Sequence, residues 1–442
     1  MRTYLVFSKE ADAIPLAMKI EKEGHRVIVY INDLEERGVG EGLVEKAKLK
    51  DQIVDKNGSL DNSALSALLK ETNPECVIFD MIGKGIGKAA DIVRKERPVV
   101  GASLWGEVAE LDRPYGIKVM KMAGINTPKT YPFKSLKEGL RFVEEQNKPF
   151  VYKPSDNMNA ATTYVARETS DLIAMMEFYG EVGEFELQEK VEGIEISTEV
   201  WYNGKEVVNV NHTMEEKGFM EGGIGPKTGS MGSVVWNGKK SSKLYIEGIG
   251  KLEDTLRRVK YQGPIDLNTI LTKDKLYGLE FTCRFGYDAI FTFNELLKDR
   301  LSDLLYGIAT GVIKQVNMRE GFAMGVCFAI LPFPSPLEEY RKAAQEICKD
   351  KVIQGINKEN IKHIWLGDVY KKGEQYLCAG VNGMLGVVSA RWDTPGENPL
   401  REAKRRCYRT LSNLIIPDVM FRNDIGERVA RDKTQLESWG WL

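Results

Sequence analysis

Apolar and polar residues fall into short alternating blocks over the first hundred positions. Tyr4–Phe7 is a continuous apolar run and predicts a strand, Ile14–Lys22 a helix, and Arg26–Tyr30 a second strand. A long polar helical segment follows, then a third strand at Cys76–Phe79, a helix over Gly87–Lys95, and Val99-Val100 closing the set. Strand–helix alternation of this kind predicts a doubly wound parallel sheet. The ligand crevice of such a sheet lies beyond the carboxyl ends of its strands.

Further along, Leu111–Ala123 has helical periodicity and stops at Gly124. A compact α+β unit then runs to about Val200, with strands at Phe150–Lys153, Thr163–Ala166, Glu186–Lys190 and Ile196–Tyr202 and a helix at Ser170–Tyr179. Glycine-rich Glu221–Gly232 interrupts the middle, and helices resume at Leu244–Arg258 and Asn294–Gly311. Between them, Pro264–Leu271 and Leu276–Thr282 flank the turn Thr272-Lys273-Asp274-Lys275, the pattern of a β-hairpin. From Phe322 a module of strands and helices runs to about Arg431, and a charged tail ends at Leu442.

A length of 442 residues suits two to four domains, each able to bury its own core. Charge is nearly balanced, 62 Lys+Arg against 64 Asp+Glu, which gives no electrostatic case for nucleic acid or an anionic membrane. Six cysteines without C-x-x-C spacing read as reduced, buried thiols of a cytoplasmic protein. The N-terminus runs straight into a strand pattern without a signal-peptide core, and no apolar run is long enough to span a bilayer. The expectation is a soluble, multidomain, cytoplasmic protein.

Candidate chemistry begins at the hairpin. Asp266 and Glu280 stand among apolar neighbours on facing strands, an arrangement that suits a hard cation, since Mg²⁺ takes carboxylate oxygens beside nucleotide phosphates. Pairing with Arg284 or a nearby lysine accounts for them equally well. Arg113 opens a helix, where anions are attracted, and Lys153 emerges from an apolar strand into a polar loop, poised for a phosphate; a solvated arginine and a snorkelling lysine are the plain alternatives. The glycine-rich stretch 222–232 suits an anion-binding nest or a flexible surface loop. Of the three histidines, His212 lies upstream of that loop as a possible substrate contact.

Glu280-Phe281-Thr282-Cys283-Arg284-Phe285-Gly286 resembles the metal-binding hairpin of the ATP-grasp ligases, and in particular the E-F-N-x-R-F-G-D-P-E segment of the phosphoribosylamine–glycine ligase family. Thr282 stands in place of a metal-binding Asn, with Asn268 on the same strand face as Asp266 to compensate. Tyr287-Asp288-Ala289 replaces Asp-Pro-Glu. Gly225-Pro226-Lys227-Thr228-Gly229-Ser230-Met231-Gly232 is similar to the family's G-P-N-T-G-G-M-G, and Gln188-Glu189-Lys190-Val191-Glu192-Gly193-Ile194-Glu195 to its adenine-binding linker. Weaker likenesses at Asn73–Asp80, Val99–Ser103, Ala379–Val388 and Phe421–Gly426 extend the resemblance over nearly the whole chain.

The resemblance implies an N-terminal α/β domain over 1–105, an ATP-grasp domain over 106–320 with a small lid at about 130–200, and a C-terminal α+β domain over 321–442. It implies ATP with Mg²⁺ or Mn²⁺ as cofactors: Lys190 and Val191 meeting adenine through their backbone, Gln188 its exocyclic amine, Glu195 the ribose, Arg113 and Lys153 the phosphates. Asp266, Glu280, Thr282 and Asn268 would hold the metal. Gly225, Lys227, Thr228, Gly229, Ser230, Met231 and Asp288 would face the substrates, and Arg284 would neutralise charge during phosphoryl transfer. The implied reaction joins glycine, or another amino acid, to an amine such as phosphoribosylamine through an acyl phosphate, in a monomer or small homo-oligomer.

Two departures keep alternatives open. The loop Pro154–Thr162 reads PSDNMNAAT without the family's glycines, leaving Asn157 and Asn159 to adopt left-handed conformations. After the first strand, Ser8-Lys9-Glu10-Ala11 replaces a Gly-Gly-x-Glu-His turn, so that Ser8, Lys9 and the next helix start, or Gly83–Gly87, would hold an acceptor phosphate. A divergent ligase acting on another amine, such as a modified nucleoside, and a nucleotide-binding pseudoenzyme are the rival readings.

Overall fold

The computed structural model describes residues 1–154, 163–180, 183–334, 338–392 and 398–442. The first hundred residues form a five-stranded sheet in the order Glu45–Lys46, Arg26–Ile31, Thr3–Ser8, Cys76–Phe79, Val99–Gly101, every pair parallel. Tyr4, Leu5, Val6 and Phe7 are all buried, the unbroken apolar run of a strand covered on both faces. Helices Ile14–Lys22, Asn62–Thr72 and Ile86–Val93 supply the cover. Strand order reverses between Thr3–Ser8 and Cys76–Phe79, so the crevice opens where Ser8 and Asp80 end their strands. The doubly wound parallel sheet expected from the sequence is therefore present. The long polar helix expected before Cys76 is not: helix forms only over Asn62–Thr72, started by Asp61 accepting from the Ser63 and Ala64 amides.

A second, wholly antiparallel sheet has eight strands in the order Leu276–Thr282, Gln262–Leu271, Ile194–Asn203, Val207–Glu215, Gly232–Asn237, Phe322–Ala329, Met384–Trp392, Ile364–Leu366. The predicted hairpin forms its edge, closed by Thr272 N donating to Lys275 O at 2.9 Å. Strands on both sides of residue 320 share this sheet through the Gly232–Asn237/Phe322–Ala329 pairing.

A small sheet, Thr130–Phe133, Phe185–Glu189, Phe150–Pro154, Tyr164–Val165, carries helices Leu136–Gln146 and Thr169–Tyr179 and its own core of Val143, Phe150, Tyr152, Leu172, Met176, Phe185 and Leu187. It ends at Glu189; Ile194–Asn203 lies in the eight-stranded sheet, so the expected lid stops short of 200.

Several predicted helices shift or divide. Leu111–Ala123 begins only at Arg113, since Asp112 adopts extended geometry and caps Arg113–Met122, and a helix not expected from the sequence, Leu104–Leu111, precedes it. Leu244–Arg258 breaks at Gly248, and Asn294–Gly311 resolves into Ala289–Leu296 and Leu301–Thr310. The N-terminal and eight-stranded sheets meet at two glycines. A Cβ on Gly263 would lie 3.0 Å from Gly101 Cα, and one on Gly101 only 1.9 Å from Phe79 O, at φ of +150° and +105°. Only glycine fits both conformation and contact there. Among the described residues no helix is long and apolar enough to cross a membrane.

Candidate active site

A cavity of about 690 Å³ opens between the carboxyl edge of the N-terminal sheet, the small sheet and one face of the eight-stranded sheet. That face is polar because side chains alternate along strands. In register, Glu199 sits opposite Asp266 and Ser197 opposite Asn268, while Asp266 faces Thr282 and Asn268 faces Glu280 across the hairpin. These residues, with Glu195, Thr213 and Glu215, line the cavity. Their alternates Ile196, Val200, Ile265 and Leu267 turn the other way into the largest core.

Lys217 is the electrostatic hub. Its ammonium lies 3.1 Å from Glu195 Oε1, 3.6 Å from Glu280 Oε1 and 3.8 Å from Glu215 Oε2. Burial opposes its charge, but the carboxylates outweigh burial and hold the ammonium above the usual lysine range. Arg113 Nη1 reaches Glu280 Oε2 at 4.0 Å. Burial likewise opposes a charge on Glu280, and Lys217, Lys153 and Arg113 overcome it, bringing the carboxyl down to about 2. Asp266 differs: burial and then Glu199 push it up to about 7. Burial also raises Glu199 to about 7 against a 3.0 Å hydrogen bond from Trp201 Nε1.

Asn268 is 3 % exposed; its Nδ2 donates to Glu195 at 3.2 Å, and its Oδ1 is buried without a partner among the described residues. An ionised Glu280 opposite an unsatisfied amide oxygen, with Asp266 and Thr282 beside them, suits a hard divalent cation. Among the described residues, no group of three His, Cys, Asp or Glu makes a metal site by itself, so the amide, the hydroxyl or a phosphate would have to complete the shell.

Lys153, Gln188, Lys190 and Val191 line the end beside the small sheet. Lys153 is 8 % exposed, and burial lowers its pKa while Glu280 opposes the shift. Gln188 Nε2 donates to Thr130 Oγ1 at 3.2 Å, and Lys190 Nζ to Ala166 O at 3.4 Å. Arg113 starts its helix, whose cap Asp112 accepts from Tyr115 N at 3.0 Å. The expectation placed on Asn157 and Asn159 lies outside the described residues.

At the other end Arg284 lines the cavity with its Nε donating to Glu110 Oε1 at 2.9 Å. Lys227, Thr228, Gly229 and Asp288 line it as well. Ser230 and Met231 do not: Ser230 is buried, donating to Asp288 Oδ2 at 3.0 Å and hydrogen-bonded through its backbone to Tyr287 Oη, and Met231 is a core residue. Gly225 lies outside the lining, next to Met220.

The expected acceptor residues are engaged elsewhere. Ser8 is fully buried and donates to Asp80 Oδ2 at 2.6 Å, and Lys9, at the cavity wall, pairs with Glu10 at 2.7 Å. Of the two sites proposed for a phosphate, the start of helix Ile86–Val93 is filled by the protein, and so is the turn ahead of helix Ile14–Lys22. Ala11 N donates to the Glu36 carboxyl at 2.7 Å, and Gly85 N and Gly87 N to the Glu107 carboxyl at 2.8 and 2.7 Å. His212 is no substrate contact: it is 2 % exposed against Thr198 and Trp236, with its pKa pushed down to about 3 by burial.

Sequence reasoning missed Lys217, Glu215, Glu199, Ser197 and Glu110. The alternation of Glu195, Ser197 and Glu199 with Ile196, Thr198 and Val200 was a readable signal for three cavity-facing positions. Nothing sets Lys217 apart from the charge run Glu215-Glu216-Lys217.

Residues 112–289 match the family model described as phosphoribosylglycinamide synthetase, ATP-grasp (A) domain. The chain is 23 % identical over 425 residues to a phosphoribosylamine–glycine ligase of Leifsonia xyli subsp. xyli, covering 94 % of this chain and 97 % of that protein. It is 24 % identical over 343 residues to the enzyme of that name from Caldanaerobacter subterraneus subsp. tengcongensis, covering 74 % and 78 %. The solved phosphoribosylamine–glycine ligase of Thermotoga maritima shares the fold, with a TM-score of 0.68 at 20 % identity over 96 % of this chain and all of that one.

Proposed function

We propose that this chain, a phosphoribosylglycinamide synthetase-like ATP-grasp protein, is an ATP-dependent ligase that joins glycine to phosphoribosylamine, giving glycinamide ribonucleotide, ADP and phosphate. The observation that carries the reading is the grouping of Arg113, Lys153 and Lys217 around Glu280 at the centre of a cavity that reaches Arg284 and the Lys227–Gly229 loop. A glycine carboxylate oxygen attacks the γ-phosphorus and ADP leaves; the amine then attacks the acyl carbon, loses a proton, and phosphate leaves. Lys153 and Arg113 hold the transferring phosphates, and Arg284 offsets charge that develops on the acyl phosphate. A divalent cation, Mg²⁺ or Mn²⁺, held by Glu280 with Asp266, Asn268 and Thr282, supplies neutralisation of the phosphate oxygens. Gln188, Lys190 and Val191 read adenine, and Glu195 the ribose. The division at 105/106 and 320/321, a cytoplasmic location, and a monomeric or small homo-oligomeric state are parts of the same proposal.

ADP release with ATP, glycine and a panel of amines tests the reading. Turnover with phosphoribosylamine supports it, and no ADP with any amine refutes it. One observation favours a second reading, a ligase whose amine acceptor carries no phosphate. Glu107 fills the Gly85–Gly87 helix start, Glu36 the turn after the first strand at Ala11, and Ser8 is committed to Asp80. Turnover with an unphosphorylated amine and none with phosphoribosylamine selects it.

A further inference from the structure

We propose that the Lys217 ammonium and a divalent cation compete for the Glu280 carboxylate, so that metal is accepted only together with a nucleotide whose phosphate draws the ammonium away. The inference rests on the metal role given to Glu280 above and adds a residue that governs it. Both Glu280 oxygens already face protein cations, Oε1 toward Lys217 at 3.6 Å and Oε2 toward Arg113 at 4.0 Å. A dication bound to the same carboxylate would stand within a few ångströms of a full positive charge, and their repulsion must be removed before the ion is held. Asn268 marks the other half of the exchange. It sits opposite Glu280, is 3 % exposed, donates its Nδ2 to Glu195, and keeps Oδ1 buried without a partner among the described residues. A buried acceptor of that kind is costly unless a ligand completes it.

The exchange needs only a side-chain movement. The backbone at Lys217 is pinned: its carbonyl accepts from Thr228 N at 2.7 Å and from Thr228 Oγ1 at 3.1 Å. Neighbouring Glu216 is held by Arg428 at 2.8 Å and by Arg422 at 3.4 Å. The four-carbon stem of lysine then lets the ammonium pivot from the carboxylates to a phosphate, which it binds as a compact point charge.

The test is Mn²⁺ binding without nucleotide, followed by the electron paramagnetic resonance of the free ion, on wild type, K217M and K217R. K217M should bind Mn²⁺ at least tenfold more tightly than wild type, and K217R, which keeps the charge, should stay as weak as wild type. Adding E280Q to K217M should abolish the gain. K217Q, which keeps a donor toward Glu195, serves in its place if K217M fails to fold. Neutral variants that bind no more tightly than wild type overturn the proposal, as does K217R binding as tightly as they do. Because no turnover enters this titration, its failure is distinct from failure of the ligase reading, which ADP release decides.

Discussion

Glu280→Gln is the sharpest single test of the cavity. The substitution keeps the shape of the side chain and removes one negative charge, which Lys217, Lys153 and Arg113 stabilise. Two unit charges about 4 Å apart interact by roughly 4 kcal/mol at an effective dielectric of about 20. A ligand carboxylate lost from a dication that offsets phosphate charge is therefore worth about 4 kcal/mol or more of transition-state stabilisation. At 1.36 kcal/mol per decade, kcat should fall by about a thousandfold. Stability should change far less. The Glu280 side chain is 46 % exposed, its ion pairs with Lys217 and Arg113 are solvent-screened, and such pairs contribute about 0.2–1 kcal/mol each. Lys217 also keeps Glu195 and Glu215. Steady-state ADP release at saturating ATP and Mg²⁺, with a thermal melt of the same sample, separates the two effects. A kcat within tenfold of wild type in a folded variant refutes the metal role; a melting temperature tens of degrees lower refutes the electrostatic account of the fold.

Three further outcomes are expected. ATP should bind more tightly than GTP if Lys190, Val191 and Gln188, which line the cavity beside the small sheet, read adenine as proposed; equal affinities by calorimetry would exclude this. Lys9→Ala should raise the KM for phosphoribosylamine by roughly tenfold to a hundredfold, as expected for one charge-assisted hydrogen bond, and leave the KM for ATP unchanged, whereas an unaltered amine KM favours the unphosphorylated acceptor. Glu36 is pushed up to about 8 by burial, aided by Glu10 and Asp12, from an ordinary value of 4.5. Between those limits the folded state binds more protons than the unfolded, so stability is greatest toward pH 4.5 and falls as pH rises to 8, by up to about 1.4 kcal/mol per pH unit. Denaturant melts across that range should show a shallower fall in Glu36→Gln, and an identical slope would refute the assignment.

The parts of the fold legible in the sequence are those whose apolar pattern reports burial directly. Tyr4–Phe7 and Cys76–Phe79 are covered on both faces and read as solid apolar runs, and the hairpin carries its own turn. Val207–Glu215 was missed for the opposite reason. Its cavity-side residues Asn211, Thr213 and Glu215 are polar although buried or nearly so, and a strand lining a charged cavity resembles a loop when only hydrophobicity is read. The same limit applies within the site. Asp266, Glu280, Lys153 and Arg113 each carried a local signal, a carboxylate in an apolar strand or a cation at an element end. Lys217 acquires its role from three carboxylates on three different strands, and no local pattern encodes that meeting. The engagements of Ser8, of the Ala11 turn and of the Gly85–Gly87 helix start were equally illegible, since Asp80, Glu36 and Glu107 arrive from distant positions to make them.

These engagements share one physical origin. A buried charge or amide left without a partner is expensive, so a polar cavity is stable only when its groups are matched to one another. Here the matching is internal: Lys217 answers Glu195, Glu215 and Glu280, Glu110 answers Arg284, Glu36 answers the turn amide of Ala11, and Glu107 the helix-start amides of Gly85 and Gly87. A charged ligand entering the cavity replaces these contacts, so its affinity measures an exchange and not the gross strength of its own hydrogen bonds. Asn268 Oδ1 and Arg113 Nε are the buried atoms at the cavity that the internal matching leaves out among the described residues. They flank Glu280, one through the register of the hairpin and the other through its ion pair, so a ligand that displaces Lys217 from Glu280 is compensated there by groups that have no other contact to give up. That is why Glu280, and not the better-covered end at Ser8, is where binding of a charged ligand should begin.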